Sequence, residues 1–238
     1  MRCFLHLSYR GEPFHGWQRQ PNAVSVQQTV EEALKTVLRV PVPIVGAGRT
    51  DTGVNARCMY AHFDLPEIEN PESRIRNSIQ GLNRLCGRDI SIHRIIPVAD
   101  DAHARFDAVQ RTYKYFVTTG KSAFLHPLSW HSPSPLDVDA MNDAAATLLQ
   151  DTDFTSFAKL HSDAKTNVCD VREARWERTA CNLTGEEMLV FTISADRFLR
   201  NMVRAVVGTL VEVGRGKMSL LGFRDVVEAR DRCSAGTS

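Results

Sequence analysis

Several features that would assign the chain to a protein class are scarce or absent. Lysine is rare: of 29 basic residues, 23 are arginine and 6 are lysine. Net charge is nearly absent, at +1 from 29 Lys+Arg and 28 Asp+Glu in 238 residues. That excludes a uniformly basic nucleic-acid coat and leaves room for a local basic cleft. No run approaches the roughly 20 apolar residues of a membrane span. The apolar stretch within residues 1–10 is too short and too interrupted for a secretory signal. The expectation is a cytoplasmic protein with no membrane contact. The six cysteines, Cys3, Cys58, Cys86, Cys169, Cys181 and Cys233, form no C-x-x-C pair and no Cys/His cluster at zinc spacing. They are read as reduced and mostly buried, and no metal site is expected. Low-complexity linkers and internal sequence repeats are missing too.

What remains fits a globular fold. The hydrophobic share of 43% and charged share of 24% are too apolar for a disordered chain. The length suits one large domain or two small ones. Residues 1–119 carry 15 basic and 12 acidic side chains, and residues 120–238 carry 14 and 16. The resulting +3 and −2 are too small to assign a partner. The arginine bias favours RNA, because a guanidinium forks onto phosphate and stacks on bases. A GC-rich genome raises arginine as well.

Periodicity predicts strands over 2–9, 42–46, 59–65, 90–98 and 111–119, and a hairpin of strands 171–179 and 188–195 around Asn182-Leu183-Thr184-Gly185. Helices are predicted over 26–39 behind a Ser25 cap, 71–82 behind Asn70-Pro71, and 138–149 behind Asp137. Two more are expected over 198–213, ended by Gly214, and over 220–229. Strands and helices alternate, yet some strand neighbours are joined by short turns, so the expected class is α+β with a largely antiparallel sheet. The boundary is expected in the acidic, then basic connector 100–106, giving halves 1–104 and 105–238.

Gly46-Ala47-Gly48-Arg49-Thr50-Asp51-Thr52-Gly53-Val54-Asn55-Ala56 is the richest stretch. It is not a P-loop, since Val54-Asn55 follows Gly53 where Lys-Ser/Thr is required. Nor is it a dinucleotide fingerprint, since Asp51 stands where the third glycine belongs. One aspartate remains on a tight turn, two residues after Arg49. A nearby guanidinium keeps a carboxylate ionised, which suits a nucleophile or base. An aspartate that caps the turn, helped by Thr50 and Thr52, fits the same spacing.

Gly48-Arg49-Thr50-Asp51-Thr52-Gly53-Val54 closely resembles the active-site motif of the tRNA pseudouridine synthase A family, which isomerises uridine in the anticodon stem-loop of tRNA. Five further blocks resemble the same family in its order: 14–20 (FHGWQRQ), 101–106 (DAHARF), 111–115 (RTYKY), 153–157 (DFTSF) and 198–204 (FLRNMVR). The likeness covers nearly the whole chain. Thr52 and Asn55 stand where the family usually has Ala and His. The family also continues past a segment like Ala235-Gly236 with a further strand, which is expected to be lacking here.

The resemblance implies two related α/β half-domains sharing a largely antiparallel central sheet flanked by helices, with an RNA cleft between them and the catalytic aspartate loop in the first. It implies uridine isomerisation by base flipping with Asp51 as nucleophile, no cofactor, and tRNA and a second copy of the chain as partners. A tRNA-binding module or RNA chaperone on the same scaffold is the alternative. Tyr113 matches the active-site tyrosine that meets the flipped base, and Arg204 matches the arginine paired with the catalytic carboxylate. Arg200, four residues before Arg204, is expected on the same helix face. Arg49 is implied to contact RNA beside the extruded uridine. Arg19, His103, Arg105 and Arg111 are candidate phosphate or base contacts and equally fit surface charges.

Overall fold

The computed structural model describes residues 1–65, 71–160 and 165–236. The chain divides into two compact units, Met1–Val109 and Gln110–Ser238.

In the first unit β1 (Arg2–Tyr9) is the central strand, with β3 (Ala56–Asp64) on one side and β4 (Ile90–Pro97) on the other, both antiparallel to it. A short β2 (Val45–Gly46) extends the sheet beyond β3. Alternation along β1 buries Cys3, Leu5, Leu7 and Tyr9. These pack on Val26, Val30, Ala33 and Leu34 of α1 (Val26–Leu38) and on Leu82 of α2 (Pro71–Leu85). α1 starts where expected, because the Ser25 hydroxyl accepts the Gln28 N–H at 3.2 Å. It stops at Arg39, which takes the left-handed conformation at φ 61° without a glycine. The expected Asn70 cap of α2 lies outside the described residues.

Residues 42–44, expected as strand, form no ladder. Val42 and Ile44 are buried, but α1 takes the Ile44 backbone. Glu31 accepts the Ile44 N–H at 3.1 Å, and the Gln27 amide donates to its carbonyl at 3.0 Å. β3 begins three residues before the expected Met59, through a stretch whose exposed Arg57 and Cys58 give no apolar signal.

The second unit holds β5 (Arg111–Thr118), β6 (Trp130–His131), β7 (Val171–Ala180) and β8 (Glu187–Ala195), in the order β6-β5-β8-β7. β7 and β8 pair as the expected antiparallel hairpin, and β6 runs parallel to β5. β6 was not expected, since two residues carry no period. α3 (Val138–Thr147), α4 (Met202–Gly214) and α5 (Leu220–Ala229) supply Met141, Val206, Leu210 and Phe223 to a core with Phe191 and Ile193 of β8. Asp137 and Ser219 cap α3 and α5 as their positions suggest.

α4 starts at Met202 rather than at the expected Phe198. Asn201 sits at φ 67°, a left-handed conformation that interrupts any helix entering from residue 198 and that asparagine tolerates better than most residues. Arg200 is therefore off the helix, and the expected shared face with Arg204 is not formed.

The α+β class holds, with one parallel pair among antiparallel ones. Ladder hydrogen bonds among the described residues group the strands as two sheets of four, one in each unit, where the resemblance implies a sheet in common. The cysteines are less buried than expected. Cys3, Cys86 and Cys169 are buried, Cys181 is half-buried, and Cys58 and Cys233 are exposed; all six are free thiols. Among the described residues no helix is long and apolar enough to cross a membrane.

Candidate active site

The Asp51 loop leaves β2 and re-enters the sheet at β3. The Ala47 N–H donates to the Tyr60 carbonyl at 2.7 Å and holds its first step to the sheet. The turn closes where the Val54 N–H donates to the Asp51 carbonyl at 3.2 Å, with Gly53 at φ 77° in the position that requires left-handed backbone. Asp51 is half-buried, and Arg49 beside it is exposed.

Residues 11–17 brace this loop from behind. The Trp17 N–H donates to the Thr50 carbonyl at 3.1 Å, and the Gly53 N–H donates to the Phe14 carbonyl at 3.4 Å. Gly16, at φ 85°, lies so close that a Cβ there would stand 2.5 Å from the Thr50 carbonyl oxygen. Only glycine fits, so block 14–20 is a mould for the backbone around Asp51. Two further contacts lock the loop to the end of β1 and to the residues that follow it. Tyr9, buried at the end of the strand, shares a 2.8 Å hydrogen bond with the Thr50 hydroxyl. The Asn55 amide oxygen accepts the Gly11 N–H at 2.7 Å. Asn55, a departure from the family pattern, thus has a bracing contact of its own.

The other first-unit candidates are Arg19, His103 and Arg105. Arg19 is exposed, with its guanidinium 3.3 Å from Glu31 and its N–H on the Gln27 side chain at 3.0 Å. Glu31 and Gln27 are the groups that hold Ile44, so Arg19 is wired into the support of β2. His103 and exposed Arg105 lie in the connector after β4, where the His103 Nδ1 accepts the Arg105 and Phe106 N–H groups at 3.2 Å. The His103 ring stands 4.4 Å from His62. Burial, with His103 and Arg2 nearby, pushes the His62 imidazole below its usual range.

The second unit carries the remaining candidates. Arg111 opens β5 and donates to the Asp196 carbonyl at 2.7 Å. Tyr113 is opposite Ile193 in register and meets Phe198 edge-on at 5.1 Å. Arg204 is exposed in the first turn of α4, where the helix dipole disfavours a cation. Its charge reaches the Tyr115 phenol, which burial nonetheless pushes up. Among the described residues no group of three His, Cys, Asp or Glu side chains could hold a metal ion.

Tyr9, Asn55 and Tyr115 were not singled out as site residues. Tyr9 had a signal: a tyrosine on the buried face of a strand needs a partner for its hydroxyl. Asn55 and Tyr115 had none, because their neighbours come from distant segments.

A family model described as tRNA pseudouridine synthase matches residues 144–238. The chain is 54% identical over 237 residues to "tRNA pseudouridine synthase A" of Parabacteroides distasonis, a match covering 100% of this chain and 90% of that protein. It is 54% identical to the protein of that name from Porphyromonas gingivalis, over 100% and 92% of the two chains. With that of Bacteroides thetaiotaomicron it shares 52% identity, over 100% and 86%.

Proposed function

The chain belongs to the tRNA pseudouridine synthase A family, and on that premise we propose that it isomerises uridine to pseudouridine in the anticodon stem-loop of tRNA, with Asp51 as the nucleophile. The observation that carries this reading is the bracing of the Asp51 turn. A carboxylate that merely capped a surface turn would not need the Trp17, Phe14 and Tyr9 contacts to its flanking backbone and side chain. Such a fixed carboxylate is placed once and loses little freedom when a substrate arrives.

The reaction breaks the N1–C1′ bond of uridine and forms a C5–C1′ bond. The proton lost from C5 is balanced by one gained at N1, so neither a redox partner nor a group donor enters. The Asp51 carboxylate can add to C1′ or C6, or face a ribosyl cation. The target must leave the base stack to reach it. Exposed Arg49, two residues away, is suited to fill the vacated space and hold the phosphate backbone. Tyr113 and Arg204 keep the roles the resemblance gives them, meeting the base and countering the carboxylate charge. The reaction is assigned to the cytoplasm and to a homodimer on the same resemblance.

The test incubates the protein with unmodified tRNA and maps pseudouridine in the anticodon arm. Asp51→Asn is expected to abolish product and keep tRNA binding. Tight binding by the parent without product would overturn the isomerase reading in favour of an RNA-binding module. Parental turnover by Asp51→Asn would remove the nucleophile assignment.

A further inference from the structure

We propose that the sheet face of the first unit directed away from α1 and α2 is a stacking platform for unpaired bases of the RNA substrate. This rests on the tRNA reading above and deepens it. The even-numbered residues of β1 point to that face, and their cross-strand partners extend it: Phe4 faces His62, and His6 lies between Tyr60 and Arg94. Beside the polar Arg2, Ser8, Asp64 and Arg94, such as an open antiparallel face usually bears, it carries a row of rings. His93 lies 4.9 Å from His6, and His6 lies 4.7 Å from Tyr60 with the planes 13° apart. Tyr60 is 6.3 Å from Phe4, and Phe4 is 6.5 Å from His62. His62 is 4.4 Å from His103, which lies on Phe106 at 4.2 Å and 29°. The row is continuous from β4 across β1 and β3 to the connector.

Both ends are open. His93 is exposed, and Phe106 is 76% exposed with the Arg105 guanidinium 5.9 Å from its ring. The cations on the rim suit a phosphate backbone: Arg94 and Arg105 are exposed, while Asp64 is engaged by Arg2 at 2.9 Å and Asp107 by the His103 N–H at 2.7 Å. Ile96, opposite Phe4, adds an aliphatic side chain, but rings outnumber it, which favours bases over an apolar peptide. Four of the rings are imidazoles and one is a phenol; His62 is buried and its Nδ1 accepts the Ala104 N–H at 3.2 Å, so it supports the row from within and bases are received towards the His93 and Phe106 ends. Sheet faces bearing such rings bind single-stranded RNA, whose base faces are free, and not duplex, whose base faces are hidden. The His93 end is fixed by a 2.9 Å hydrogen bond to Ser8, the residue before Tyr9, which holds Thr50. A loop laid along the row thus begins at the strand that braces the Asp51 turn.

The experiment measures equilibrium binding of a labelled, unmodified anticodon stem-loop RNA to the full chain and to His93→Ala, Phe106→Ala and Phe106→Trp. All three substitutions are at exposed ends of the row. The alanine variants are expected to bind about 10-fold more weakly and Phe106→Trp to bind like the parent, with binding of a fully paired duplex unchanged by any of them. Alanine variants that melt like the parent and bind within twofold of it would overturn the platform. Equal loss for stem-loop and duplex would overturn it as well, since that pattern belongs to a backbone contact. Pseudouridine formation by the parent is measured separately. Aromatic-dependent binding without product would sink the isomerase reading and leave the platform standing. Product with ring-independent binding would do the reverse.

Discussion

Replacing Gly16 by alanine tests whether the second sequence block exists to position Asp51. A Cβ at Gly16 would stand 2.5 Å from the Thr50 carbonyl oxygen, against about 3.4 Å for ordinary contact. The two loops must therefore separate by about 0.9 Å, and the part that moves is the backbone next to Asp51. Alanine at φ 85° adds a conformational cost of about 1–2 kcal/mol. In a chain of this size that lowers the melting temperature by roughly 2–8 °C. A displacement near 1 Å at the reacting group costs about 100-fold in rate, or about 2.7 kcal/mol of activation free energy. The assay is tritium release from tRNA labelled at uridine C5, with saturating substrate, beside a thermal melt. Gly48→Ala is the internal control: it lies in the same motif, its added Cβ would meet nothing within 4 Å, and its φ is not positive. Gly48→Ala is expected to turn over and melt like the parent. A Gly16→Ala variant that melts a few degrees low but keeps parental kcat would refute the bracing argument.

Tyr9→Phe removes the hydroxyl that meets Thr50 and keeps the ring 6.0 Å from Trp17; it is expected to cost about 0.5–1.5 kcal/mol of stability and to lower kcat with KM for tRNA unchanged, read by chemical denaturation and steady-state kinetics. Hydrogen bonds from Thr155, aided by Arg230, hold the Asp153 carboxyl below its ordinary 3.8. With the folded value depressed, that increment is complete above about pH 4 and fades as pH falls through the folded value. Asp153→Asn should therefore melt lower at neutral pH, by about 0.5 kcal/mol for a partly exposed group, and converge on the parent in acid; a constant offset down to pH 2 would contradict the linkage. Burial pushes the Cys86 and Cys169 thiols up to about 11, whereas hydrogen bonds from Leu183 and Thr184 lower that of Cys181, so a thiol reagent at neutral pH should label Cys58, Cys181 and Cys233 in the native protein, and reach the other three only on unfolding, as peptide mapping would show.

Much of the framework was legible because local backbone chemistry sets it. Ser25 and Asp137 mark helix starts since each side chain caps an N–H three residues on, a contact that needs no partner from elsewhere. The alternation of residues 2–9 told which side chains of β1 are buried, because successive side chains point to opposite faces. Where reading failed, either a group from another element or an unusual local backbone had intervened. The expected strand at residues 42–44 is apolar enough, but Gln27 and Glu31 reach across from α1 and satisfy Ile44 in place of a ladder. The apolar pattern before Arg204 is helical enough, but Asn201 turns left-handed and delays α4 to Met202.

The candidate site divides along the same line. That Asp51 is the residue of interest followed from an ordered set of short blocks, since reactive groups and the glycines that admit them must keep their spacing along the chain. Why block 14–20 contains Gly16 did not follow, because the reason is a carbonyl 34 positions away at Thr50. Arg19 fitted a surface charge or an RNA contact and is tied to Glu31; Asn55 stood out as a departure from the family's His and holds Gly11. The row from His93 to Phe106 is scattered over β1, β3, β4 and the connector, with no period to reveal it. Sequence by itself pointed to most of the elements, to the Ser25 and Asp137 caps and to Asp51 as the candidate nucleophile, through sterics, hydrogen bonds and spacing within a few residues. Strand register decided what surrounds that aspartate, because pairing β1 with β3 and β4 brings together side chains that the chain order keeps more than 45 residues apart.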